Sequence, residues 1–108
     1  MLYNSGFQAK DAGIILINTK NGEIINNDVS ENWFGITLWN SDGNTLRNNI
    51  LVENFIGIII RDYSTENSVI GNSFLDNQGG ILIAVTPIDN TINSNSFYGS
   101  LSWNRYYI

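Results

Sequence analysis

Residues 35–54 read G-I-T-L-W-N-S-D-G-N-T-L-R-N-N-I-L-V-E-N. Ile36 and Leu38 alternate with a strand's period of two, and the apolar positions are separated by short runs rich in Asn and Gly, intervals too short for helices. The same unit recurs on either side. Gly13, Gly35, Gly57 and Gly80 are each followed by isoleucine, and 22 residues separate Gly13 from Gly35 and Gly35 from Gly57. Internal self-similarity at such a period is the mark of a repeat architecture.

Aligned on those glycines, the chain resolves into columns. One apolar column reads Ile14, Ile36, Ile58, Ile81; a second reads Leu16, Leu38, Ile60, Ile83; a third Leu2, Ile24, Leu46, Val69, Ile92; a fourth Phe7, Val29, Leu51, Phe74, Phe97. Polar columns run beside them: Ser5, Asn27, Asn49, Asn72, Asn95, then Lys10, Asn32, Asn54, Asn77, Ser100, and the corner series Gly22, Asn44, Asn67, Asn90. The template extends from Leu2 to Ser100 with a one-residue insertion between Ile60 and Asn67.

Each repeat therefore reads as three short strands separated by bends. With turns of equal length, every residue stacks on its counterpart about 4.8 Å along the axis, which is a parallel β-solenoid, an all-β fold of about four to five rungs of about 22 residues starting near Gly13, Gly35, Gly57 and Gly80. A column of isoleucines becomes a continuous apolar seam, each side chain contributing roughly 1.5–3 kcal/mol before entropy is charged. Asparagine suits the bends, because it tolerates the left-handed backbone and its amide can both donate to and accept from the Asn one rung away. On this basis Asn27, Asn49, Asn72, Asn95, Asn32, Asn54 and Asn77 are expected to form structural ladders, with the glycine column serving through its freedom at positive φ.

The run from Gly35 to Asn54 resembles the right-handed parallel β-helix repeats of the NosD-type and carbohydrate-binding and sugar-hydrolase (CASH) families. The resemblance spans nearly the whole chain and implies the fold and its right hand, which is also the preference of parallel crossovers. It implies much less about activity, since lyases, epimerases, surface-layer proteins, tailspikes and copper-maturation factors share the scaffold.

Composition narrows the function classes. Ten acidic residues against five basic give a net charge of −5, and without a basic cluster a nucleic-acid partner is disfavoured. No apolar run approaches the roughly 20 residues that cross a bilayer, so membrane insertion is not expected; an extracellular, periplasmic or cell-surface setting is. The start of the chain lacks signal-peptide regions and there is no cysteine. None of the 18 asparagines opens an Asn-x-Ser/Thr sequon. Copper is disfavoured because its ligands are His, Cys and Met, and the chain has no His, no Cys and only Met1.

The ends point to a fragment of a longer β-helix, with repeats over 1–102 and an aromatic tail over 103–108 that serves as a lid or opens a further element. In the tail Trp103 stands where the template has glycine and Asn104 where it has isoleucine.

Four surface features carry candidate chemistry. Glu31, Glu53 and Asp76 precede corner asparagines and form an acidic stripe, beside which the next outward column offers Trp33 and Phe55; acids that accept sugar hydroxyls next to aromatic faces make a polysaccharide-binding edge, unless the turn acids are merely solvated and the rings pack on each other. The same acids have the spacing glycosidases need, yet no accompanying catalytic motif. Outward residues of the strand opened by each glycine, Ile15, Trp39, Ile59 and Leu82 among them, form an apolar face for a homo-oligomer or flanking rungs of a parent chain. Glu66 and Asp89 share a column and are a calcium candidate. The chain thus reads as a structural and binding repeat module, against the alternatives of a carbohydrate-active enzyme fragment and a pure spacer.

Overall fold

The computed structural model describes residues 12–84 and 89–99, and the backbone of 103–107. Leu2, Ser5, Phe7, Lys10 and Ser100 of the sequence columns lie outside the described residues. Every described regular element is a β-strand. Each coil contributes one long strand and two short ones. The long strands are β1 (Ala12–Ile17), β4 (Phe34–Trp39), β7 (Ile56–Arg61) and β10 (Gly79–Ala84). The first short set is β2 (Glu23–Ile25), β5 (Thr45–Arg47), β8 (Ser68–Ile70) and β11 (Thr91–Asn93). The second is β3 (Asp28–Ser30), β6 (Ile50–Val52), β9 (Ser73–Leu75) and β12 (Ser96–Tyr98), and β13 (Trp103–Tyr107) follows. Like pairs with like in parallel, giving sheets β1-β4-β7-β10-β13, β2-β5-β8-β11 and β3-β6-β9-β12. The chain is a parallel β-solenoid of about 4 coils.

The apolar columns fill the interior. Ile36, Ile58 and Ile81, Leu38 and Ile60, Leu46 and Val69, and Val29, Leu51 and Phe74 are all fully buried. Phe74 stacks on Phe97 with ring centroids 4.6 Å apart. Each coil is too thin to bury its own apolar side chains, so they are buried only by the coil above and below.

The corners are held by amides. Asn49 Nδ2 donates to Asn72 Oδ1 at 2.9 Å and Asn72 Nδ2 to Asn95 Oδ1 at 3.0 Å. The same Oδ1 of Asn72 also accepts the backbone N–H of Asn49, at 2.9 Å, while Asn72 Nδ2 returns to the carbonyl of Leu46, one rung back, at 3.0 Å. Parallel ladders run through Asn32, Asn54 and Asn77 and through Asn44, Asn67 and Asn90. A fourth, of hydroxyls, occupies the corner after the long strands: the backbone N–H of Thr19 donates to Ser41 Oγ and that of Ser41 to Ser64 Oγ, both at 3.0 Å.

The left-handed conformation is not at the ladder asparagines, as the sequence suggested, but one residue earlier. Asn26 and Asn48 precede Asn27 and Asn49; Glu31, Glu53 and Asp76 precede Asn32, Asn54 and Asn77; all five have φ between 54° and 60°. The reversal places the following residue inward, where its amide is buried between rungs. The glycine column also has another cause. Gly13, Gly35 and Gly57 are not in the left-handed region. A Cβ at Gly35 would collide with the Gly57 carbonyl and meet Leu51 Cδ2 at 3.0 Å, so the column exists because neighbouring coils approach too closely for a side chain.

Register corrects the count of insertions. Asn40 N donates to the Arg61 carbonyl and Ser41 N to Ser64 Oγ, so Asp62 stacks on Asn40, Ser64 on Ser41, and Tyr63 is the extra residue. Ser68 pairs with Thr91 at a separation of 23 that does not include Tyr63. A second extra residue therefore falls between Ala84, which pairs with Arg61, and Asn90, which accepts from Asn67. A third lies between Tyr98 and Trp103, because Tyr98 pairs with Leu75 at 23 and Trp103 with Gly79 at 24. Arg105, not Asn104, is consequently opposite Ile81, and the tail adds a fifth strand to the long sheet.

Replacing Asn72 by Leu removes the partner of the buried Asn49 N–H, and a buried orphan costs about 1–3 kcal/mol. Urea unfolding should show a loss of about 1–3 kcal/mol. Gly35→Ala should cost about 1–3 kcal/mol by overpacking, whereas a left-handed glycine would have predicted strain without a clash.

Candidate functional site

The edge between the second short strands and the long strands is built by the corner just described. Because its left-handed residues are Glu31, Glu53 and Asp76, with φ of 59°, 55° and 54°, their side chains leave the coil while Asn32, Asn54 and Asn77 turn in. All three acids are exposed and all three asparagines buried. Counterparts on adjacent coils lie about 4.8 Å apart, so the carboxylates form a stripe along the axis. Glutamate is an expensive occupant of this conformation; Asn, Asp and Gly hold it with less strain.

Two residues beyond each acid comes the aromatic column. Trp33 and Phe55 stack on each other, with centroids 4.4 Å apart and planes inclined by 25°, and Trp33 meets Phe34 edge-on at 6.5 Å. Phe55 keeps 39% of its surface exposed, Trp33 is half-buried, and the next residue of the column is the exposed Gln78. Sequence reasoning left open whether the two rings face solvent as a platform or pack together. They pack together, two residues along the chain from the acids. Chemically, the edge offers carboxylate acceptors for hydroxyl donors beside an apolar ring surface.

The apolar face of the long sheet is smaller than the sequence implied. Ile15 and Trp39 are exposed, Leu82 is half-buried, and Ile59 is only 4% exposed. Ile59 lies in register between Thr37 and Leu82. Thr37 is buried in the same column, and its Oγ1 has no hydrogen-bond partner.

Glu66 and Asp89 are exposed and left-handed, in the corner column of Asn21 and Gly43. A shallow depression is lined there by Lys20, Asn21, Asp42, Gly43 and Glu66. Asp42 Oδ1 already accepts from the Thr65 N–H at 2.9 Å and its hydroxyl at 3.1 Å. Among the described residues no group of three or more His, Cys, Asp or Glu is placed to hold a metal ion.

The family whose model matches this chain is NosD, described as periplasmic copper-binding protein, over residues 1–106. The chain belongs to the NosD family. Neither the curated proteins nor the solved structures yield a match. A NosD-family β-solenoid with continuous ladders is a structural repeat module.

Sequence reasoning missed three features of this NosD-family coil. The Thr19, Ser41, Ser64 ladder was visible as a column of small hydroxyls at the repeat spacing. The role of the residue before each ladder Asn was hidden because Asn, Gly, Glu and Asp all occupy it. The unpaired hydroxyl of Thr37 had no signal, since Thr is ordinary on the outward side of a strand. Thr37→Val should raise stability by about 1 kcal/mol by removing a buried orphan, read from the urea midpoint. Glu53→Asn, which relieves the left-handed strain, should raise it by about 0.5–1 kcal/mol.

Proposed function

We propose that this chain is a polysaccharide-binding repeat module of the cell envelope, with the Glu31, Glu53, Asp76 edge and the Trp33–Phe55 pair as its contact surface. The observation that carries this reading is the placement of three exposed carboxylates, one per coil, beside a stacked and partly exposed aromatic pair. A repeating carboxylate spacing matches a ligand that is itself a repeating polyol, and the family's periplasmic description supports an envelope setting. Glu31 and Glu53 hold strained backbone positions where asparagine would serve the scaffold better. Strain kept at a ladder corner is the kind of cost retained at functional sites.

The family's description as copper-binding does not carry over to these residues. Copper favours imidazole, thiolate and thioether ligands; this chain has no His and no Cys, and its one Met is the first residue. The carboxylates of the stripe are hard oxygen donors suited to calcium, so calcium is the cation to include when binding is measured.

Affinity electrophoresis of the folded chain through neutral and acidic polysaccharides, with and without calcium, tests the proposal. Trp33→Ala and Glu53→Asn should each weaken retention by about fivefold or more, the loss expected from one stacking or charge-assisted contact, with folding intact. Retention unchanged in both variants, or absent from every polymer, contradicts it. Cu(I) titration of the same chain should show no stoichiometric site.

A further inference from the structure

We propose a second ligand surface at the corner that follows the long strands, centred on Tyr63 and taking a neutral, hydroxyl-rich sugar unit. It is independent of the acidic edge, which lies at the other end of the long strands.

Tyr63 is the residue inserted into an otherwise matching corner. It and Asp62 are consecutive left-handed residues, with φ of 64° and 51°, and the ladder bonds on either side are intact: Asp62 N donates to the Ala84 carbonyl at 3.2 Å and Ser41 N to Ser64 Oγ at 3.0 Å. The coil therefore closes around the insertion, and the side chain is left outside, 66% exposed. Asn or Gly would hold that backbone with less strain, so nothing in the scaffold calls for an aromatic residue there.

Its surroundings are those of a polyol site. In the preceding column Trp39 carries the Arg61 guanidinium over its ring, 4.4 Å from the centroid, and Arg61 Nε is 3.3 Å from Asp62 Oδ2. Exposed amides continue the corner across two coils, Asn40 Nδ2 donating to Asn18 Oδ1 at 2.6 Å. That bond leaves Asn40 Oδ1 as an acceptor and the Asn18 Nδ2 group as a donor. The patch thus offers an aromatic face with donors and acceptors of both kinds, and among the described residues its cation, Arg61, is paired with the adjacent Asp62 carboxylate. An anionic ligand would meet Asp62 together with Arg61, so a neutral sugar is the better match. A protein partner would need about 800 Å² on each side, more than these few residues present.

The test is an NMR titration of the full chain with cellohexaose, laminarihexaose and chitohexaose, and with an oligogalacturonate for comparison. A neutral oligosaccharide should shift the amides of Asn40, Asp62 and Tyr63, and Tyr63→Asn, which keeps the left-handed corner, should weaken that binding about three- to tenfold. Trp33→Ala should leave these shifts in place, which separates this surface from the acidic edge. Shifts confined to Glu31, Trp33 and Glu53, preference for the galacturonate at this corner, equal affinity in Tyr63→Asn, or no shift with any neutral sugar would overturn the proposal.

Discussion

A solenoid turns its backbone inward at every corner, and the N–H and C=O groups there cannot all be paired by strand ladders. Buried and unpaired, each costs about 1–3 kcal/mol. The asparagine amide resolves this with one side chain per corner. Its oxygen accepts both the backbone N–H and the side-chain N–H of the previous coil's asparagine, and its nitrogen reaches a carbonyl of that coil, as Asn54 does with Asn32 and Val29. The arrangement works only if successive coils place their asparagines directly above one another. The amide ladders therefore hold the coils in register, and the apolar columns are buried because register is kept.

This constraint explains where variation is allowed. The position before each ladder residue must turn the chain but touches nothing inside, and it is occupied by Asn, Gly, Glu, Asp or Ser. Charges placed there line up along an edge at no cost to the core, which is how one corner became an acidic stripe. Extra residues can leave the coil in the same way. Tyr63 enters at a corner between two intact ladder bonds, whereas an insertion inside β7 would move every later side chain to the opposite face. Surface chemistry in this fold is thus written at corners, over a scaffold that does not change.

Much of this was legible in the sequence because each column repeats one residue type. Ile36, Ile58 and Ile81, or Asn49, Asn72 and Asn95, announce their roles by recurrence. Where the column is mixed the signal fails. The left-handed residues were not identified because Glu53 and Gly71 share no obvious property, and the turn was ascribed to the more conspicuous asparagine beside them. The glycine column was visible but its cause was not, since close approach of Gly35 to the Gly57 carbonyl and positive φ both select glycine. The burial of Thr37 and Ile59 on the outward side of their strands is not something alternation alone reports. For the candidate edge, the sequence placed Glu31, Glu53 and Trp33 near one another, while the stacking of Trp33 on Phe55 required the geometry.

Native-state hydrogen exchange tests the central role of the amide ladders most directly. The backbone amides of Asn44, Asn49 and Asn54 donate to side-chain oxygens one coil away, at 2.8–2.9 Å, not to any strand. If those oxygens hold the register, the three amides should exchange only through global unfolding, with the same denaturant dependence as Ile58 and Ile60 in the central long strand. Exchange of the three by local opening, while the strand amides stay protected, would show that the coils are held by their apolar columns and strand pairing, and that the ladders are incidental to the fold.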